Sequence, residues 1–159
     1  MSATKDNYQI LCQRLQGLIQ DEPDALANSA NSAALLYSSL EQINWAGFYL
    51  LKEDQLVLGP FQGKPACIRI ALGKGVCGAA AQTKQSIIVA DVHQFSGHIA
   101  CDAASASEIV IPIIQEDRLV GVLDIDSPVK TRFNEEDRQG LQAFVDILSE
   151  QIRWADLLH

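Results

Sequence analysis

Three cysteines in the middle third of the chain, Cys67, Cys77 and Cys101, offer the most chemistry, while Cys12 sits apart on an amphipathic segment near the start. A thiolate is a nucleophile, a metal ligand and a reductant, whereas a buried thiol packs as a small hydrophobe, so each cysteine's setting decides its role. Cys12 fits packing. Cys101 lies in the small-residue run Gly97-His98-Ile99-Ala100-Cys101-Asp102-Ala103-Ala104-Ser105, where a sulfur can meet solvent and ligand. His98, three residues before it, would favour the thiolate if both shared a helical turn; otherwise it is an ordinary surface histidine.

Cys67, Cys77, His98 and Cys101 could also supply four zinc ligands. Structural zinc sites use close cysteine pairs, however, and nine residues separate Cys67 from Cys77, so no metal is expected. Gly73-Lys74-Gly75-Val76-Cys77-Gly78 matches the glycine pattern of dinucleotide-binding loops. No opening strand-helix-strand unit precedes it, and the helix after it is too short for that fold's crossover. It reads instead as a glycine turn letting a short helix pack closely, and no cofactor is expected.

Carboxylates give the remaining signal. Asp124 and Asp126, in Leu123-Asp124-Ile125-Asp126-Ser127, are two residues apart at the end of a strand, which puts both on one face. Glu108 opens the strand expected to pair with it. Isolated acids at strand ends usually face water, but acids on a sheet's inward face are costly unless they line a polar pocket.

The elements that must position these groups follow from periodicity. Leu11, Leu15, Leu18 and Ile19 predict one helix, and Leu26, Ala30, Ala33 and Ala34 a second after Pro23. Asn44 to Leu51 is apolar on both alternating sets, as in a strand buried on both faces, and forms a hairpin with Leu56 to Pro60 across Lys52-Glu53-Asp54. Ile68 to Leu72 and Ser86 to Ala90 read as short strands flanking a small helix over Gly75 to Thr83. Asp91 to Ser107 lacks an apolar period and reads as a functional loop. Ile109 to Ile114 and Leu119 to Ile125 form a second hairpin around Gln115 to Arg118. A final helix starts at Asn134, with Glu135, Glu136 and Asp137 complementing its dipole and Leu141, Phe144, Val145, Leu148 and Ile152 along one stripe. The expected fold is α+β: one domain over residues 1–159, a central, mostly antiparallel sheet of about six strands, and N- and C-terminal helices packed on it.

Composition narrows the partners. With 12 basic against 20 acidic residues the net charge is -8, which leaves phosphate backbones and anionic lipids little to attract. No nucleic acid and no membrane partner is expected. Met1 to Ile10 has no apolar signal region, so the expected location is cytoplasmic and the cysteines are expected as reduced thiols. The apolar stripes of the terminal helices suit a homodimer and equally the chain's own sheet.

Together, Gly59-Pro60-Phe61-Gln62-Gly63-Lys64-Pro65-Ala66-Cys67, Gly75-Val76-Cys77-Gly78, Asp91-Val92-His93, Gly97-His98-Ile99-Ala100-Cys101-Asp102 and Leu123-Asp124-Ile125-Asp126-Ser127 resemble the free methionine-(R)-sulfoxide reductase family. The resemblance runs from Asn44 to Phe144. It implies a GAF-type catalytic domain that reduces methionine sulfoxide as the free amino acid, prefers the R epimer at sulfur and is recycled by thioredoxin. By matched position it implies Cys101 as the catalytic cysteine, Cys67 as the resolving cysteine that closes a disulfide with it, and Cys77 in a supporting role. It further implies that Glu108, Asp124 and Asp126 surround the sulfoxide and that Trp45 and Tyr49 line the site, the indole against the substrate methyl. Periodicity alone places Trp45 and Tyr49 on one strand face, where ordinary core is the plainer role. The rival is a GAF module that binds a small ligand without turnover, and it would need neither three cysteines in this arrangement nor clustered acids.

Overall fold

The run Trp45–Lys52 is apolar on both alternating sets because the strand it forms, β1, lies inside a sheet with a core on either face. The computed structural model describes residues 5–97 and 104–159. In chain order these form α1 (Lys5–Ile19), α2 (Ala25–Ser39), β1, β2 (Gln55–Gly63), β3 (Arg69–Ala71), α3 (Gly75–Thr83), β4 (Ile87–Val89), β5 (Ser107–Gln115), β6 (Arg118–Ser127) and α4 (Glu135–Gln151). Short 3-10 turns cover Val92–Gln94 and Trp154–Leu157. The strands make one six-stranded sheet in the order β3-β2-β1-β6-β5-β4, with every neighbouring pair antiparallel. An α+β fold of this composition matches the expectation.

Alternation along the strands sorts their side chains between two layers. Ala46, Phe48, Leu50, Ile109, Ile111, Leu123 and Ile125 point into the larger core, which α1, α2 and α4 cover. Trp45, Tyr49, Val110 and Val122 point into the smaller core beneath α3. Burying a large aliphatic or aromatic side chain is worth about 1.5–3 kcal/mol, so the larger layer supplies most of the stability and the smaller one is free to carry polar groups.

Several expectations are corrected. Strand β6 runs to Ser127 and β5 begins at Ser107, past the expected Ile125 and Ile109, so Asp126 and Glu108 join Asp124 within paired strands. Strand β2 runs to Gly63 because Gly59 and Pro60 together face Phe48, a bulge in which the missing proline N–H costs no ladder bond. On α2, Leu26 is exposed, and the buried side includes Asn28, Ser29 and Ser32 instead. Burial of those polar groups is tolerated because both serine hydroxyls donate to carbonyls one turn back and Asn28 Nδ2 donates to the Glu22 carbonyl. Leu18 is likewise exposed.

The stripe Leu141, Phe144, Val145, Leu148 and Ile152 is buried as expected, with Ile152 standing at the C-cap of α4. Asn134 forms a capping box with Asp137. Asp137 does more than complement the dipole: fully buried, it accepts from Tyr8 Oη at 2.7 Å and pairs with Arg132 at 3.4 Å. Trp154, beyond the last helix, is buried edge-on against Phe48.

Candidate functional site

Three adjacent strands bring the expected residues together. Asp126 faces Trp45 on β1 and Glu108 on β5, while Asp124 faces Gly47 and Val110 one pleat further along. Partners across an antiparallel ladder share a face, so both aromatics and all three acids converge beneath α3. Gly47 has no side chain there because a Cβ would stand 2.3 Å from Phe61 Cβ, and its absence lets Phe61 stack on Trp45 at 5.1 Å.

Cys77 enters from the first turn of α3, its Sγ 3.9 Å from Glu108 Oε2. Gly75 and Gly78 allow this approach. Gly75 takes φ 62°, and a Cβ on Gly78 would stand 2.4 Å from the Ala71 carbonyl oxygen, so the helix packs closely as the glycine turn predicts.

These groups wall a cavity of about 50 Å³ whose lining includes Trp45, Tyr49, Cys77, Glu108, Asp124 and Asp126. Burial dominates its electrostatics. Glu108 and Asp124 are only 8% and 5% exposed. Desolvation, then Asp124 and Asp126, push the Glu108 carboxyl well above the usual carboxylate range. Asp124 is raised by burial, against hydrogen bonds from its neighbours that lower it. Burial thus favours the protonated form of both Glu108 and Asp124. Burial, followed by Asp124 and Glu108, also pushes the Cys77 thiol well up, which suits a neutral supporting group better than a nucleophile. Asp124 Oδ1 is buried with no hydrogen-bond partner among the described residues, an acceptor left for something that enters the cavity.

Cys67 is disulfide-bonded, whereas Cys12 and Cys77 are free thiols. Thiols that a fold holds within reach can pair and reopen by exchange, so a bonded Cys67 is compatible with a redox-active role. Among the described residues, the set spaced to hold a metal ion is Cys77, Glu108 and Asp124, with ligand atoms within 4.8 Å of one another. Cys101 and His98 lie outside the described residues.

The cavity lining also includes Lys74 and Ser105, which sequence reasoning missed. Lys74 was visible only as part of a glycine turn, and Ser105 as a small loop residue. The available signal was a lysine at the N-cap of a short helix, where its charge adds to the helix dipole. Among the described residues no helix is long and apolar enough to cross a membrane.

The GAF domain family model matches residues 32–152. The free methionine-R-sulfoxide reductase of Escherichia coli is 53% identical, covering 94% of this chain and 90% of its own length. Protein YtsP of Bacillus subtilis is 55% identical over 92% of this chain and 91% of its own. The X-ray structure of free methionine-R-sulfoxide reductase from Neisseria meningitidis in complex with its substrate superposes with a TM-score of 0.91 at 37% identity, over 99% of both chains. The chain belongs to the GAF-domain family of free methionine-R-sulfoxide reductases.

Proposed function

We propose that this protein reduces free L-methionine-(R)-S-oxide to methionine, with Cys101 as nucleophile, Cys67 as resolving cysteine and Glu108 as proton donor. The observation that carries the reading is a buried carboxyl cluster, with Glu108 raised well above its usual range, in a cavity beside the segment of disulfide-bonded Cys67. The Cys101 thiolate attacks the sulfoxide sulfur while Glu108 delivers a proton to the oxygen. Oxygen passes to Cys101, methionine leaves, and the cysteine is oxidised to a sulfenic acid by the two electrons the substrate gains. Cys67 then attacks Cys101 Sγ, the S–S bond forms as the S–O bond breaks, and water leaves. The dithiol of thioredoxin reopens the disulfide by exchange.

Trp45, with Tyr49 beside it, offers an apolar wall for the substrate methyl and side chain. Asp124 and Asp126 supply negative charge for an α-ammonium group, and Lys74 at the N-terminus of α3 supplies positive charge for an α-carboxylate. These contacts require a free amino acid. The net charge of -8 disfavours polyanionic partners and anionic membranes.

Methionine-(R)-sulfoxide within a peptide is therefore expected to react at least about a hundredfold less efficiently than the free amino acid, because amides replace both charged ends. Steady-state kcat/KM on free R epimer, free S epimer and a blocked peptide, with thioredoxin as reductant, tests the reading. Comparable efficiency for peptide and free substrate would remove the ammonium role of the acids, and no methionine from the free R epimer would remove the reading itself.

A further inference from the structure

The segment that carries Cys67 belongs to no strand: β2 ends at Gly63 and β3 begins at Arg69. Its attachment to the sheet comes from specific hydrogen bonds. Trp45 Nε1 donates to the Lys64 carbonyl at 3.1 Å, and Tyr49 Oη donates to the Cys67 carbonyl at 2.8 Å. At the far end, the Leu58 amide donates to the Ile68 carbonyl at 2.9 Å. Burial and the neighbouring acids push the Tyr49 phenol far up, so its hydroxyl keeps the proton that this bond needs.

The rings that make the first two bonds are themselves packed in a stack. Trp45 stacks between Phe61 at 5.1 Å and Tyr49 at 6.0 Å, all on strands in the body of the sheet. Gly63 turns the chain across the indole with φ 133°, at a point where a Cβ would stand 2.6 Å from Trp45 Cδ1 and 2.8 Å from the Asn44 carbonyl oxygen. The segment is thus strapped over the cavity, with Pro65 and Ala66 forming part of its wall.

We propose that Trp45 and Tyr49 are positioning residues for Cys67, pinning the carbonyls on either side of Pro65-Ala66 so that its sulfur meets the oxidised nucleophile. This rests on the reading of Cys67 as the resolving cysteine. Lining the pocket affects the first step, methionine formation. Pinning the segment affects the second, in which the Cys67 thiolate attacks the Cys101 sulfenic sulfur and water leaves. An ångström of misplacement in such an intramolecular step costs about a hundredfold in rate. A side chain that only supported the fold would slow both steps together.

The test uses the reduced full-length Tyr49→Phe variant, which keeps the ring and loses only the hydroxyl. Quenched-flow mixing with free methionine-(R)-sulfoxide follows methionine, free thiols and the sulfenic acid trapped by a cyclic 1,3-dione. Disulfide formation is expected to slow about tenfold or more beyond any slowing of methionine formation, with trapped sulfenic acid accumulating. Trp45→Phe, which keeps an aromatic ring and loses the indole N–H, should shift the ratio of the two steps in the same direction, and it carries the test if Tyr49→Phe does not fold. Equal slowing of both steps in the folded variants overturns the inference. Cys67→Ser separates the two readings: if its sulfenic acid decays as fast as the parent's, Cys67 is not the resolving cysteine and the inference falls with that reading. If it persists while Tyr49→Phe resolves at the parent's rate, the positioning role alone fails.

Discussion

Cys101→Ser is expected to abolish methionine formation even in a single turnover, whereas Cys67→Ser is expected to yield about one methionine per chain and then stall. A serine hydroxyl is a far weaker nucleophile than a thiolate near neutral pH, and it cannot carry the sulfenic acid that takes up the substrate's oxygen. Losing the resolving thiol leaves the first transfer possible and blocks the next. Cys12→Ser should change little, since Cys12 is a free thiol packed against the larger core, remote from the cavity lining. Rapid-quench assay of methionine against chain concentration checks all three variants, and multiple turnovers by Cys101→Ser would refute the assigned nucleophile.

Glu108→Gln should lower methionine formation by roughly a factor of ten to a thousand at saturating substrate, as expected when a general acid loses its proton. Asp124→Asn and Asp126→Asn should each fall in the same range, and a variant impaired in holding the ammonium group shows this mainly as a raised KM. The pH dependence distinguishes the donor. Because burial and then its acidic neighbours raise the Glu108 pKa, the parent's rate at saturating substrate should fall as pH rises through that raised value, and the amide variant should lose this limb.

Stability carries the same sign. A carboxyl whose folded pKa is raised contributes most below its unfolded pKa of about 4.3, and the contribution is lost as pH climbs through the folded value. Glu108→Gln should therefore melt higher than the parent at alkaline pH, by about 2–4 °C for each kcal/mol of relieved charge burial. Unchanged activity together with unchanged melting would mean that Glu108 is an ordinary strand residue.

Much of this arrangement could be read from residue types and period. Apolar residues on both alternating sets of 45–51 marked a strand with two cores, and the two-residue spacing of Asp124 and Asp126 set them on one face. Register was less legible: the turn alone would set Glu108 opposite Ile125, and an irregularity between Ile113 and Ile114 shifts the ladder by one residue so that Glu108 faces Asp126. Other features depend on tertiary context that no local pattern carries. The buried face of α2 includes serines and an asparagine whose hydrogen bonds stay local, so an apolar search finds Ala33 but misplaces Leu26 and misses those polar members. Asp137 looks like a dipole complement until Tyr8 and Arg132, distant in sequence, close around it. Lys74 reaches the cavity because of a glycine turn, and the strap over Trp45 and Tyr49 depends on backbone carbonyls, which every sequence has.

Anaerobic incubation of the fully reduced protein with free methionine-(R)-sulfoxide, with no added reductant, tests the central claim most directly. The account predicts about one methionine formed and two thiols lost per chain, with Cys67 and Cys101 recovered in one disulfide-linked peptide pair and Cys12 and Cys77 still free. Substrate bound without methionine formed, or methionine formed with all four thiols retained, would contradict it.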